Sequence, residues 1–112
     1  CHGVVLAEPM GYIEFMSLVR AAACVVTDSG GVQEETTYLG IPCLTLRDTT
    51  ERPVTVSQGS NRLVKVAELA QGIDQVLAGA WPKGRLIELW DGRSALRAAD
   101  SLARFAGIAL KK

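Results

Sequence analysis

The chain has 112 residues, 12 of them basic and 12 acidic, so its formal net charge is zero. That balance gives no electrostatic pull toward nucleic acid or an anionic membrane, and 48% apolar with 21% charged residues excludes disordered and low-complexity classes. Apolar runs are broken every few residues by charge, Gly or Pro, none approaching the ~20 residues of a membrane-spanning helix, and the length bounds the organisation to one domain.

The first residue is Cys1 rather than Met and an apolar run follows at once, as expected of a chain that begins inside a larger protein. Cys1, Cys24 and Cys43 leave one thiol over in any disulfide scheme. Cys24 and Cys43 sit in apolar runs where a reduced thiol packs as a small hydrophobe, so a reducing, cytoplasmic setting is expected. Cys1 and His2 are adjacent, but no second Cys or His follows at ligand spacing. No metal site and no cofactor is expected.

Four short apolar runs read as strands: Val4 to Ala7, Cys24 to Thr27, Cys43 to Leu46 and Leu63 to Val66, their starts 20, 19 and 20 residues apart. They show little alternation, as in strands buried on both faces, and each gap has room for a crossover helix. The predicted class is therefore α/β, with a Rossmann-like parallel sheet and flanking helices. Tyr12, Phe15, Met16 and Val19 recur at helical spacing after the first strand, with Glu14 and Arg20 on the opposite face. Val32 to Leu39 reads as a short helix stopped by Gly40 in a left-handed cap, before Ile41-Pro42. Pro53 suits the first turn of a helix ending by Gly59. Ala67 to Leu77 is helical, and Trp81-Pro82-Lys83-Gly84 breaks it. From Arg93 to Leu110, Leu96, Ala99, Ala103, Ala106 and Leu110 fall on one face of a terminal helix.

The stretch Thr27-Asp28-Ser29-Gly30-Gly31-Val32-Gln33-Glu34-Glu35 ends a buried strand, turns through two glycines and opens a helix. Ligands of parallel α/β sheets bind at that end of the strands. Gly30 and Gly31 permit close backbone approach and unusual φ, while free N–H groups at the helix start attract a phosphate. Ser29 either caps the helix or donates to a ligand oxygen, and a plain N-cap with acidic residues behind it accounts for the same letters. In Arg47-Asp48-Thr49-Thr50-Glu51-Arg52-Pro53, leaving the next strand at the same edge, two arginines suit a pyrophosphate. Surface pairing of Arg47 or Arg52 with Asp48, Glu51 or Glu34 is the competing assignment. A Walker lysine loop, a Gly-x-Ser-x-Gly elbow and a His near a Ser are all missing from the sequence, which argues against hydrolase triads.

These two motifs, with Leu89-Trp90-Asp91-Gly92-Arg93 and the opening Glu8-Pro9-Met10-Gly11-Tyr12, resemble the non-hydrolysing UDP-N-acetylglucosamine 2-epimerases over nearly the whole chain. The resemblance implies two Rossmann-like domains of the glycosyltransferase-B type, with a nucleotide sugar in the cleft between them. Residues 1–112 would then be part of the C-terminal, nucleotide-binding domain. Carried across, it implies that Ser29 and Gly31, with Gly30 in the same turn, meet the diphosphate of UDP. Arg52 would meet the phosphates, Glu35 the ribose hydroxyls and Phe15 the uracil face, core packing being the other role open to Phe15. Val54 stands where the family usually has Glu, and Thr36 where it usually has Ala.

The family's acid and base residues belong to the N-terminal domain, so no catalytic residue is expected in this chain. The partners implied are a UDP-sugar and the N-terminal domain of the same protein, with a homodimer left open. Two other functions compete: a UDP-sugar-dependent glycosyltransferase of the same fold, and a UDP-binding module without catalysis.

Overall fold

The computed structural model describes residues 3–107. Cys1, His2 and Leu110, for which a thiol, a metal ligand and a helix-face position were considered, lie outside them. Helix α1 (Tyr12–Ala21) leads to strand β1 (Val25–Thr27), helix α2 (Gly30–Leu39) and strand β2 (Cys43–Thr45). A short helix α3 (Pro53–Ser57), strand β3 (Asn61–Leu63), a 3-10 turn (Val66–Glu68), helix α4 (Leu69–Leu77) and helix α5 (Ser94–Phe105) follow. The strands form one parallel sheet in the order β1-β2-β3, with Val25 opposite Cys43 and Leu44 opposite Arg62. This is the α/β class with a parallel sheet and flanking helices.

Local chemistry explains the boundaries. Gly40 adopts φ 71°, ψ 22° behind α2, a left-handed cap that a glycine enters without a Cβ clash. Pro53 opens α3, where the N–H that proline lacks would have no helical partner. The turn into α4 is fixed by Glu68, whose Oε1 accepts the Lys65 N–H at 2.9 Å.

The core sits on β2, whose three residues are all fully buried. Leu44 packs beneath α4 at Gly72, where a Cβ would come within 2.7 Å of Leu44 Cδ2, and Trp81 lies close by. The indole N–H of Trp81 donates to the Ser60 carbonyl at 2.8 Å, so this large ring is buried without stranding its polar atom. On its other side the Arg62 guanidinium stands 4.6 Å from the ring centroid. Burial pushes the Cys43 thiol above its ordinary range, as it does that of Cys24, and both are free.

Four expectations need correction. Val4 to Ala7 is not a strand: it pairs with no other strand among the described residues, and Leu6 is 95% exposed. Apolar character suits a segment to a sheet, but pairing makes the strand. Among the described residues β1 is an edge strand with Val26 exposed, rather than a strand covered on both faces. β3 begins two residues before the expected Leu63, because the side chain of Asn61 is held inside a buried polar network that a hydrophobicity pattern does not see. The stripe on α1 buries only Val19 fully, and that on α5 only Ala103, with Phe15 and Leu96 exposed.

Gly59 is buried where α3 meets α2, and a Cβ there would run into the Thr55 carbonyl and stand 2.6 Å from Thr37 Oγ1. Because a backbone oxygen is involved, side-chain rotation cannot relieve the clash. Gly59→Ala is expected to destabilise the protein by about 1–3 kcal/mol, read as a lower urea midpoint at unchanged slope.

Candidate functional site

β1 and β2 run parallel and end together, and the loops leaving them form one rim. The first loop becomes α2 at once. Ser29 is the N-cap residue, but its hydroxyl makes no capping bond; instead its N–H donates to Thr27 Oγ1 at 3.0 Å. Gly30 and Gly31 are the first two residues of the helix. Neither has a positive φ, which corrects the expectation of unusual backbone angles. What glycine contributes here is a missing side chain. A Cβ on Gly31 would meet nothing within 4 Å, whereas one on Gly30 would run into the carboxylate of Glu51. The N-terminus of α2, with N–H groups that lack helical partners, is thus bare backbone at Gly31 and faces the Glu51 carboxylate at Gly30.

The second loop crosses in front of that helix start. Arg47 donates to both carboxylate oxygens of Glu51, at 3.0 and 2.9 Å, and Arg52 forms an ion pair through Nε with Glu34. Both surface pairings weighed from the sequence are therefore present. The Arg52 side chain stays 42% exposed, and a guanidinium has five N–H donors, so one carboxylate does not saturate it. Hydrogen bonding from Arg47 is the main reason that the Glu51 carboxyl lies below its ordinary value of 4.5.

Behind the rim lies a network absent from the sequence reading. Gln33 Oε1 accepts from the Thr50 hydroxyl at 2.6 Å and from Asn61 Nδ2 at 3.1 Å. Asn61 also donates to Thr55 Oγ1 at 3.0 Å and accepts from the Thr45 hydroxyl at 2.6 Å. Gln33, Asn61, Thr45 and Thr55 are fully buried. A signal for it existed: Gln33, Thr36 and Thr37 recur at helical spacing and turn a polar stripe, not an apolar one, toward the sheet.

A groove of about 690 Å³ runs beside the rim. Tyr12, Met16 and Arg20 line it from α1, Glu34, Glu35 and Tyr38 from α2, and Arg52, Leu89 and Trp90 close it. Glu35 and Arg52 are thus brought to one cavity, whereas Ser29, Gly30 and Gly31, at the head of the helix that carries Glu35, are not among its lining residues. Phe15 is not among its lining residues and stands half-exposed on α1. The wall at Leu89 and Trp90 carried no role in the sequence reading. It is shaped by Arg97, which donates to Asp91 at 2.6 Å and to the Leu89 carbonyl at 3.0 Å, while Leu89 takes a left-handed φ of 69°. Chemically, a helix start, a guanidinium and a carboxylate acceptor beside an apolar groove suit a ligand with an anionic centre flanked by hydroxyls and a flat ring.

A family model described as UDP-N-acetylglucosamine 2-epimerase matches residues 1–103. The UDP-N-acetylglucosamine 2-epimerase of Methanocaldococcus jannaschii is 58% identical over 59 residues, which is 53% of this chain and 16% of that relative. The crystal structure of the M. jannaschii UDP-GlcNAc 2-epimerase in complex with UDP-GlcNAc and UDP superposes with a TM-score of 0.73 at 40% identity, covering 88% of this chain and 27% of that one. That of the Neisseria meningitidis enzyme bound to UDP-GlcNAc gives 0.65 at 40% identity, over 69% of this chain and 22% of the other. The matched segments cover about one sixth of the length of the curated relatives, and the superposition covers 27% of the M. jannaschii structure. No helix among the described residues is long and apolar enough to cross a membrane.

A depressed carboxyl contributes stability that is fully present above its unfolded value and lost as pH falls through the lower folded one. For Glu51 that window lies below 4.5. Arg47→Ala is expected to move the Glu51 midpoint back up toward that value in a carboxyl ¹³C titration; an unchanged midpoint would show that Arg47 is not the cause.

Proposed function

The chain belongs to the UDP-N-acetylglucosamine 2-epimerase family, and from that premise we propose that it is the UDP-holding part of an enzyme interconverting UDP-N-acetylglucosamine and UDP-N-acetylmannosamine. One observation carries the assignment of roles: Arg52 reaches α2 through its ion pair with Glu34 and shares a groove with Glu35. On this reading the chain is a late part of the C-terminal Rossmann-like domain in a two-domain, glycosyltransferase-B arrangement. The enzyme is cytoplasmic, and the N-terminal domain of the same protein closes over the nucleotide sugar.

Ser29, with the N–H groups of Gly30 and Gly31, takes the diphosphate, and Arg52 adds a charged donor. Glu35, further along the same helix, accepts from the ribose hydroxyls, and Phe15 offers its half-exposed ring to the uracil. The reaction removes the proton at carbon 2 and breaks the bond between carbon 1 and the diphosphate oxygen, releasing UDP and 2-acetamidoglucal. UDP then re-adds at carbon 1 while a proton reaches the opposite face of carbon 2, giving the manno epimer. Negative charge on the diphosphate grows as that bond breaks. Donors aimed at it therefore favour the transition state over the ground state, which is the part of catalysis assigned to this chain. The groups that move the proton belong to the other domain.

The test is incubation of the full-length protein with UDP-N-acetylglucosamine, followed by NMR, with the manno epimer as the expected product. The 112-residue chain alone is expected to show no conversion; free sugar transferred to an acceptor would point to a glycosyltransferase instead. By calorimetry, Arg52→Ala should weaken UDP binding by about 1.5–3 kcal/mol and Arg47→Ala by far less. Equal, sub-kcal losses would return Arg52 to the role of a surface ion pair. Gly31→Val should abolish UDP binding while costing the fold only tenths of a kcal/mol, because the added side chain meets open space in the unliganded protein.

A further inference from the structure

Arg52 is held by its main chain as well as by its guanidinium. Its N–H donates to Thr50 Oγ1 at 2.9 Å, and its carbonyl accepts from the Thr55 hydroxyl at 2.7 Å. Each of these hydroxyls has its second bond aimed inward: Thr50 donates to Gln33 Oε1, and Thr55 accepts from Asn61 Nδ2. Gln33 and Asn61 are bonded to each other, so the two threonines are oriented by one buried amide pair. Gln33 is in the first turn of α2, three residues after Gly30, and Asn61 is on β3 opposite Cys43.

We propose that Thr50 and Thr55, oriented by the buried Gln33–Asn61 pair, are positioning residues that hold Arg52 in register with the start of α2 for contact with the diphosphate. The inference rests on the reading of Arg52 as a phosphate ligand. Its physical content is directional. A hydroxyl rotates freely unless both its donor and acceptor bonds are fixed, and each threonine here is fixed at both. The main chain of Arg52 is thereby clamped on its N–H and on its C=O, and the only freedom left to reach a ligand is in the side chain. Because Gln33 belongs to the same helix whose N-terminus would hold the diphosphate, guanidinium and helix start are placed from a common origin. Small misplacement of a charged donor is costly in such a site.

Thr50 is the member to alter, since it lies in the loop and Gln33 Oε1 keeps its bond from Asn61 without it. In the full-length protein, Thr50→Val removes the hydroxyl at nearly constant shape and Thr50→Ser retains it. UDP dissociation constants are measured by calorimetry for T50V, T50S, R52A and T50V/R52A, with thermal unfolding of each. T50V is expected to weaken UDP binding about 3- to 10-fold, T50S to bind like the parent, and T50V to add less than about 2-fold in the R52A background. The last result separates positioning from a general loss of stability, which would weaken binding equally in both backgrounds. An equal loss in both, or a T50V protein that binds like the parent while R52A is weakened, overturns the inference alone. An R52A protein that binds UDP like the parent overturns the phosphate reading of Arg52 and this inference with it.

Discussion

The side-chain oxygen of Gln33 accepts two hydrogen bonds inside the protein, from Thr50 and from Asn61, and the placement of the second rim loop depends on that junction. Burying an amide is costly unless its polar atoms are partnered, and here Gln33 Oε1 has two donors while Nε2 is buried without a partner, so losing either donor would add to a cost already carried. The junction therefore tolerates few arrangements of the chain. Through Thr50 it sets the loop that carries Glu51 and Arg52; through Asn61 it sets β3 and, by way of Thr45, the central strand. An apolar cluster of equal volume would pack at least as well, but oily contacts slide where hydrogen bonds do not. A fold that must present a charged side chain at one place on a rim gains from polar groups in its interior.

This also explains which parts of the molecule were legible in the sequence. Gly40 and Pro53 announce themselves, because only glycine enters the left-handed cap freely and only proline fixes φ at a helix start. β2 could be read because all of its positions are covered and a continuous apolar run has no other soluble use. The Ser-Gly-Gly turn could be read as leading into a helix, though not its angles: both glycines are helical, Gly31 beside open space and Gly30 against the Glu51 carboxylate. Asn61 could not be read, since a polar residue in a buried strand position inverts the pattern being counted. Val4 to Ala7 misled for a different reason. Its letters describe a strand, and no letter within it says whether a neighbour lies alongside.

The groove was only partly legible. Arg52 is one of two arginines whose segment suits a pyrophosphate, the ribose role of Glu35 comes only from the resemblance, and the two come to one cavity. Its far wall is built by Leu89 and Trp90, which lie in a stretch that carries the family resemblance but no assigned contact. Leu89 is forced into a left-handed angle, a conformation that costs a non-glycine residue, and the Arg97 guanidinium secures it through the Leu89 carbonyl and Asp91. That partnership spans six residues to Asp91 and eight to Leu89 and crosses into a helix, so no short motif contains it. Long-range closure of this kind is a property of the folded chain.

The two ion pairs on the rim bear on how such a site can be ready for an anion and still be stable without one. Arg47–Glu51 and Arg52–Glu34 are between about a third and a half exposed, so water screens them and each is worth roughly 0–1 kcal/mol. Charge-assisted hydrogen bonds to a doubly charged phosphate are worth more, about 1.5–3 kcal/mol each. The pairs thus hold the guanidinium groups at the rim, with the Glu51 carboxylate against Gly30, and on the phosphate reading of Arg52 they would yield to a better acceptor. Had Arg52 and Glu34 been buried together, their separation would have left an uncompensated charge in the interior, at a cost of several kcal/mol. On the proposed reading, exposure of this pair would let the groove exchange an internal carboxylate for an external phosphate, while the buried amides beneath hold the backbone of Arg52.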